Sequence, residues 1–186
     1  MRLLNHITRH AALLCFMTSL AAATASAQTQ TFTATAALRA TPATSLPLTV
    51  EVQKFATDAE RDALLAALQG GGTASARAFL ASKPDIGSLQ LGTTRVPLKY
   101  AYSRTTGDGQ LITVVTAAAI PLTGAAATGA SGAANGVGLA LLEVHRTGAG
   151  VGELLPSTTV KASAERTLVT DEAGAKGFSL TNVTKK

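Results

Sequence analysis

At 186 residues the chain is long enough for one domain with a core of its own. Sixteen Lys and Arg against eleven Asp and Glu give a net charge of +5, with no basic run longer than Lys185-Lys186. This mild excess reads as ordinary solubilising charge rather than a nucleic-acid-binding surface.

The N-terminus comes first because it is read as a segment removed before folding. Arg2 and Arg9 flank the start of an apolar run, Ala11 to Ala23, and Ala25-Ser26-Ala27 follows. A basic start, a short apolar centre and an A-x-A site describe a secretory signal peptide, residues 1–27, cut after Ala27. The run is too short for a permanent anchor. Leu14 before Cys15 argues against a lipoprotein signal, which needs a small residue there. The expected product is exported, periplasmic or extracellular, with no membrane span left after cleavage. Without the segment the charge falls to about +3, and the mature chain has no cysteine, no tryptophan and one histidine, His145. Such a chain is held together by its core alone, without disulfides.

Residues 28–47 open with QTQTFTATAAL and continue as RATPATSLP, which reads as a flexible lead or a short edge strand. Leu48 to Phe55 alternates, with Leu48, Val50 and Val52 on the inward face of a strand. Thr57 and Glu60 form a capping box for a helix from Asp58 to Gln69, which carries Leu64, Leu65 and Leu68. Gly70-Gly71-Gly72 ends it, and Thr73 or Ser75 caps a shorter helix with Phe79 and Leu80 before Pro84. Ile86 to Leu91 reads as a short strand or turn.

Arg95 to Ala118 is the central hairpin. In its first arm Val96, Leu98, Tyr100 and Tyr102 share a face, and Pro97 favours an edge position. Leu111 to Thr116 is apolar on both faces and β-branched, as suits the middle of a sheet. Asp108-Gly109 signals a type I′ turn, while Gly107 permits a longer loop. The two choices differ by an odd step and change which face of the second arm meets the tyrosines.

Between 123 and 138, five glycines and six alanines in sixteen positions read as a Gly/Ala-rich surface loop. Val137 to Val144, Glu153 to Leu155, Thr159 to Ser163, Arg166 to Thr170 and Phe178 to Val183 read as strands, and Thr147 to Gly150 as a turn. The expected architecture is a single α+β domain over 48–186. It is a mainly antiparallel sheet of about six to eight strands with a two-helix hairpin from 58–83 packed on one face.

Few residues carry chemistry. Gly148-Ala149-Gly150-Val151-Gly152 lacks the helix and the lysine of a phosphate loop and reads as a wide hairpin turn. A lone histidine without cysteine makes a zinc site improbable, and no Gly-x-Ser-x-Gly elbow accompanies it. Glu143 and Glu153 flank the glycine turn and form the nearest carboxylate pair. Asp108 lacks the spacing of a calcium loop. Arg95, Lys99 and Arg104 border the wet side of the hairpin, where they attract an anion or discourage edge pairing. No catalytic, cofactor-binding or metal residue is assigned, and no cofactor is expected.

From Phe55 onward the chain resembles a family of small exported bacterial proteins of unknown function. The resemblance rests on Thr57-Asp58-Ala59-Glu60-Arg61-Asp62-Ala63-Leu64, Pro84-Asp85-Ile86-Gly87, Leu98-Lys99-Tyr100-Ala101, Leu111 to Thr116 and Leu180-Thr181-Asn182-Val183. It implies one intact domain and carries over no site residues. The resulting expectation is an exported, non-catalytic domain that binds a partner or ligand, or serves the cell envelope. The alternative is a hydrolase whose site forms only in the fold, around His145, Glu143 and Glu153. A third reading is a carrier with an open cavity lined by leucine and valine inside the sheet.

Overall fold

The computed structural model describes residues 28–123, 135–164, 167–170 and 177–186. The expected signal peptide and the centre of the Gly/Ala-rich loop lie outside the described residues. The first four strands form a meander: β1 (Gln30–Leu38), β2 (Ser45–Val52), β3 (Gly87–Leu91) and β4 (Thr94–Leu98). Helix α1 (Asp58–Ala81) lies between β2 and β3 in the chain. A second meander follows: β5 (Tyr100–Thr105), β6 (Gly109–Val115), β7 (Val137–His145) and β8 (Gly150–Thr158). Two short strands, β9 (Val160–Ala162) and β10 (Leu168–Thr170), make a ribbon before β11 (Phe178–Lys185).

The main sheet has nine strands in the order β4-β3-β2-β1-β11-β8-β7-β6-β5. Every described pairing is antiparallel. β11 joins the two meanders by pairing with β1 on one side and β8 on the other. The two outermost strands, β4 and β5, are separated in sequence by Lys99 alone. At that point the Leu98 carbonyl accepts from the Ile86 N–H at 2.9 Å, and the Lys99 N–H donates to the Val115 carbonyl at 3.2 Å. The chain thus steps from one edge of the sheet to the other, and the sheet curls into a near-barrel.

Its interior is built from every strand of the main sheet. Phe32, Val50, Leu89, Leu98, Ala101 and Ile112 meet Ala140, Leu154, Phe178 and Val183 in one buried cluster. Their alternation with outward residues is the period-two pattern of strands wrapped around a core. Phe32, Phe178 and the leucines Leu38, Leu48, Leu89, Leu98, Leu142 and Leu154 are the bulkiest side chains buried there.

A second buried cluster lies outside the barrel. Leu64, Leu65, Leu68, Ala76 and Leu80 of α1 cover Tyr100, Val115, Val137, Leu139 and Leu155 on the outer face of β5–β8. These strands carry apolar residues on both faces because one face meets the interior and the other meets the helix. Thr57 caps α1: its hydroxyl accepts from the Glu60 N–H at 3.2 Å, and Glu60 accepts from the Thr57 N–H at 2.7 Å.

Several expectations are corrected here. The fold is mostly β, with nine strands in the main sheet rather than six to eight, and it closes on itself instead of lying flat under a layer of helices. The two-helix hairpin is replaced by one helix, kinked where Gly71 and Gly72 leave helical dihedrals (Gly72 φ +60°). The Thr73 hydroxyl, expected to cap a second helix, instead bridges the Val160 backbone, accepting from its N–H at 3.0 Å and donating to its carbonyl at 3.2 Å. Within residues 28–47 the first stretch is not an edge strand, while residues 39–44 are the turn that leads into β2. Strand β1 is hydrogen-bonded on both sides, and its inward residues Phe32, Ala36 and Leu38 are buried. The missed signal is spacing, since two alanines and small threonines dilute the apolar alternation to Phe32, Ala36 and Leu38.

Candidate functional site

Lys99 decides where the tyrosines go. The sequence places Val96, Leu98, Tyr100 and Tyr102 on one face, but the bend at Lys99 separates them. Leu98 faces the barrel interior, whereas Tyr100 and Tyr102 pack outside against α1. Register then fixes their neighbours. Tyr100 pairs with Val115, Tyr102 with Thr113 and Arg104 with Leu111, so the tyrosines share the outer face with Leu111, Thr113 and Val115. Thr105 pairs with Gln110 and leaves a four-residue loop, Thr106 to Gly109, closed by Thr106 N–H to Gly109 carbonyl at 2.9 Å. The type I′ turn is not formed, since neither Asp108 nor Gly109 has positive φ. Gly109 is required for another reason: a Cβ there would collide with the Val144 carbonyl of β7.

Between this outer face and the first turns of α1 lies a cleft of about 360 Å³. Leu64 and Leu65 of α1, Leu111 of β6, Leu141 of β7 and Leu168 of β10 supply its apolar lining. Arg61, Arg104, Tyr100, Tyr102 and Thr113 supply its polar groups. Its size and its ratio of apolar wall to a few polar groups are those of a small-ligand site.

The polar groups fall into two sets. Arg61 is fully engaged. Its Nη1 donates to the Tyr102 hydroxyl at 2.8 Å and lies 3.2 Å from Asp58 Oδ1, while Nη2 lies 3.1 Å from Asp62 Oδ1. The guanidinium also stacks over the Tyr102 ring, 5.2 Å from its centroid. The Tyr102 hydroxyl donates to Asp58 Oδ1 at 2.8 Å, which holds its proton on and raises its pKa above the usual 10. The Asp62 carboxylate beside Arg61 raises the guanidinium pKa in turn.

Arg104, Tyr100 and Thr113 form the second set. Arg104 is exposed and has no ion pair or hydrogen bond among the described residues. Tyr100 is 5 % exposed, and its hydroxyl makes no hydrogen bond among the described residues. Burial, with a smaller contribution from neighbouring Tyr102, pushes its pKa well above the ordinary tyrosine value, so it stays protonated. The Thr113 hydroxyl also has no hydrogen bond among the described residues. On the far side of Tyr100 is a smaller apolar recess of about 90 Å³, lined by Phe55, Ala56, Phe79, Leu80 and Ile86. Tyr100 lines both.

The residues of the hydrolase alternative share the outer face of β7 and β8, where Glu143 and Glu153 are diagonal neighbours, but they do not form one hydrogen-bonded group. Glu143 and His145 are neighbours on the outer face of β7, with His145 Nε2 3.6 Å from Glu143 Oε1. Glu153 instead pairs with Arg39 at 2.9 Å and borders a different hollow, beside Leu155 and Val169. His145 borders a shallow depression at the β5–β6 loop with Thr105 and Gln110. Gly148 to Gly152 is the β7–β8 hairpin, with Glu143 opposite Val151 and no helix following it. Among the described residues no three of His, Cys, Asp and Glu are grouped to hold a metal.

Of the basic trio, Arg95 pairs with Glu51 at 2.6 Å and Lys99 with Asp85 at 2.7 Å. Arg104 alone faces the cleft. The partners that sequence reasoning missed are Arg61, Leu64, Leu65, Leu141 and Leu168. No local signal tells a core leucine from one at the edge of a cleft, and nothing in its neighbours marks Arg61 as a cleft residue.

No family model, curated protein or solved structure matches the chain.

Proposed function

We propose that this is an exported, non-catalytic domain that binds a small ligand in the cleft between α1 and the outer face of β5–β7. One observation carries the reading: a leucine-lined cleft of about 360 Å³ contains a guanidinium and two hydroxyls without partners among the described residues. Polar groups left unpaired in an otherwise packed wall suit a ligand that completes them. Among the described residues no helix is long and apolar enough to cross a membrane. The engagement of Glu153 by Arg39, instead of by the Glu143–His145 pair, weighs against the hydrolase alternative. Export belongs to the same proposal and follows from the leader-like residues 1–27.

Two measurements test it. N-terminal sequencing of protein recovered outside the cytoplasm is expected to begin at Gln28, and material retained inside with Met1 intact refutes export. Titration with the neutral apolar fluorophore N-phenyl-1-naphthylamine, followed by NMR, is expected to shift Leu64, Leu65, Tyr100 and Leu111. Leu111→Trp, which fills the cleft, is expected to abolish those shifts. Shifts confined to other surfaces, or unaffected by Leu111→Trp, overturn the cleft assignment.

A further inference from the structure

We infer that the ligand of this cleft is a small apolar monocarboxylate, its carboxylate held by Arg104 and its hydrocarbon body laid against Leu64, Leu65, Leu111 and Leu141. The inference rests on the cleft being a ligand site, as proposed above, and adds the chemistry of what enters it.

The charge balance around the cleft selects the head group. Arg61 is neutralised by Asp58 and Asp62 and is tied to Tyr102, so it is a brace between helix and sheet. Arg104 is the cation without such a partner among the described residues. A guanidinium only donates hydrogen bonds, and its planar fork matches a carboxylate. The Thr113 hydroxyl, diagonal to Arg104 across the β5–β6 pair, lines the same cleft without a partner among the described residues and can donate to the second oxygen of such a group.

One unpaired cation suits one negative charge. A dianion would leave charge uncompensated close to Asp58 on the helix. It would also face Glu143, which follows Arg104 and Leu111 in cross-strand register and lies about 10 Å from the arginine, two strand spacings away. Glu143 itself is turned to His145 at 3.6 Å. A cationic ligand would meet Arg104 with like charge. The leucines demand an apolar body, because polar groups laid over them would lose water without gaining partners.

Calorimetric titration of the purified protein at pH 7 with octanoate, 1-octanol and octylamine separates these possibilities. Octanoate is expected to bind tightest and octylamine weakest. Arg104→Gln, an exposed substitution that the fold tolerates, is expected to weaken octanoate by about tenfold or more, down to the affinity of octanol, as loss of a charged hydrogen bond dictates. Arg104→Lys is expected to retain part of the preference. Equal affinity of wild-type protein for octanoate and octanol, or octanoate binding indifferent to Arg104→Gln, overturns the carboxylate assignment while leaving the cleft reading intact. Failure of all three probes to bind overturns the inference together with the cleft reading.

Discussion

Arg61 Nη1 donates to the Tyr102 hydroxyl at 2.8 Å, and that hydroxyl donates onward to Asp58, so one phenol ties the first turn of α1 to β5. The tie stands at the rim of the cleft, beside Leu64 and Leu65, which pack the same end of the helix onto the sheet. Tyr102→Phe keeps the ring and removes the tie. The expected result is a small loss of thermal stability, on the order of 2 °C for a domain of this size. It should come with faster amide exchange in residues 58–62 and no change in the barrel strands. Unchanged exchange at the helix start would show that the tie has no mechanical role.

The two tyrosines, with no tryptophan to obscure them, are directly readable by absorbance. Both phenols have raised pKa values, Tyr100 through burial and Tyr102 chiefly through its bond to Asp58. A folded pKa above the unfolded value of 10 stabilises the native state fully below pH 10 and loses that contribution as pH rises through the folded values. Alkaline titration is therefore expected to show tyrosinate forming above pH 10 and in step with unfolding. Asp58→Asn is expected to bring one of the two phenols back towards 10. Ionisation of both at the ordinary value in folded protein contradicts the burial and the bond alike.

Glu60 titrates in the opposite sense. Its carboxylate accepts from the Thr57 backbone and from Lys54, and both lower its pKa below the usual 4.5. A depressed folded pKa contributes stability that is present above pH 4.5 and is lost as pH falls through the folded value. Glu60→Gln is expected to be less stable than wild type at pH 7, and the difference is expected to shrink steadily below pH 4.5. A difference that stays constant down to pH 2 would remove the carboxylate from the cap.

The barrel interior is the seat of stability. Phe178 is fully buried at the junction between the two meanders, and Phe178→Ala is expected to cost about 3–5 kcal/mol in denaturant unfolding. Val151 is 49 % exposed on the neighbouring strand, and Val151→Ala is expected to stay within about 0.5 kcal/mol of wild type. Comparable losses at the two sites would mean that β8 and β11 do not pack as described.

Glycine at 109 is needed for close approach, not for turn geometry. Gly109→Ala drives a methyl into the Val144 carbonyl and is expected to cost about 1–3 kcal/mol, whereas Gly107→Ala meets nothing within 4 Å and is expected to be neutral. The reverse ranking in thermal melts would restore the tight turn.

What the sequence determined by itself was local. Alternation in Leu48 to Val52 and the β-branched apolar run Leu111 to Thr116 declared strands, the Thr57–Glu60 box declared a helix start, and Gly70-Gly71-Gly72 declared a break. Each of these is set by neighbours within a turn or a pleat. Tertiary structure decided the rest: that β1 lies between β2 and β11, that the two edges meet at Lys99, and that Tyr100 and Arg104 border one cleft. Period two assigns residues to a common face only while the strand runs unbroken. A single bend at Lys99 reassigns every side chain beyond it, and the partner 150 residues away that completes the barrel leaves no trace in local spacing.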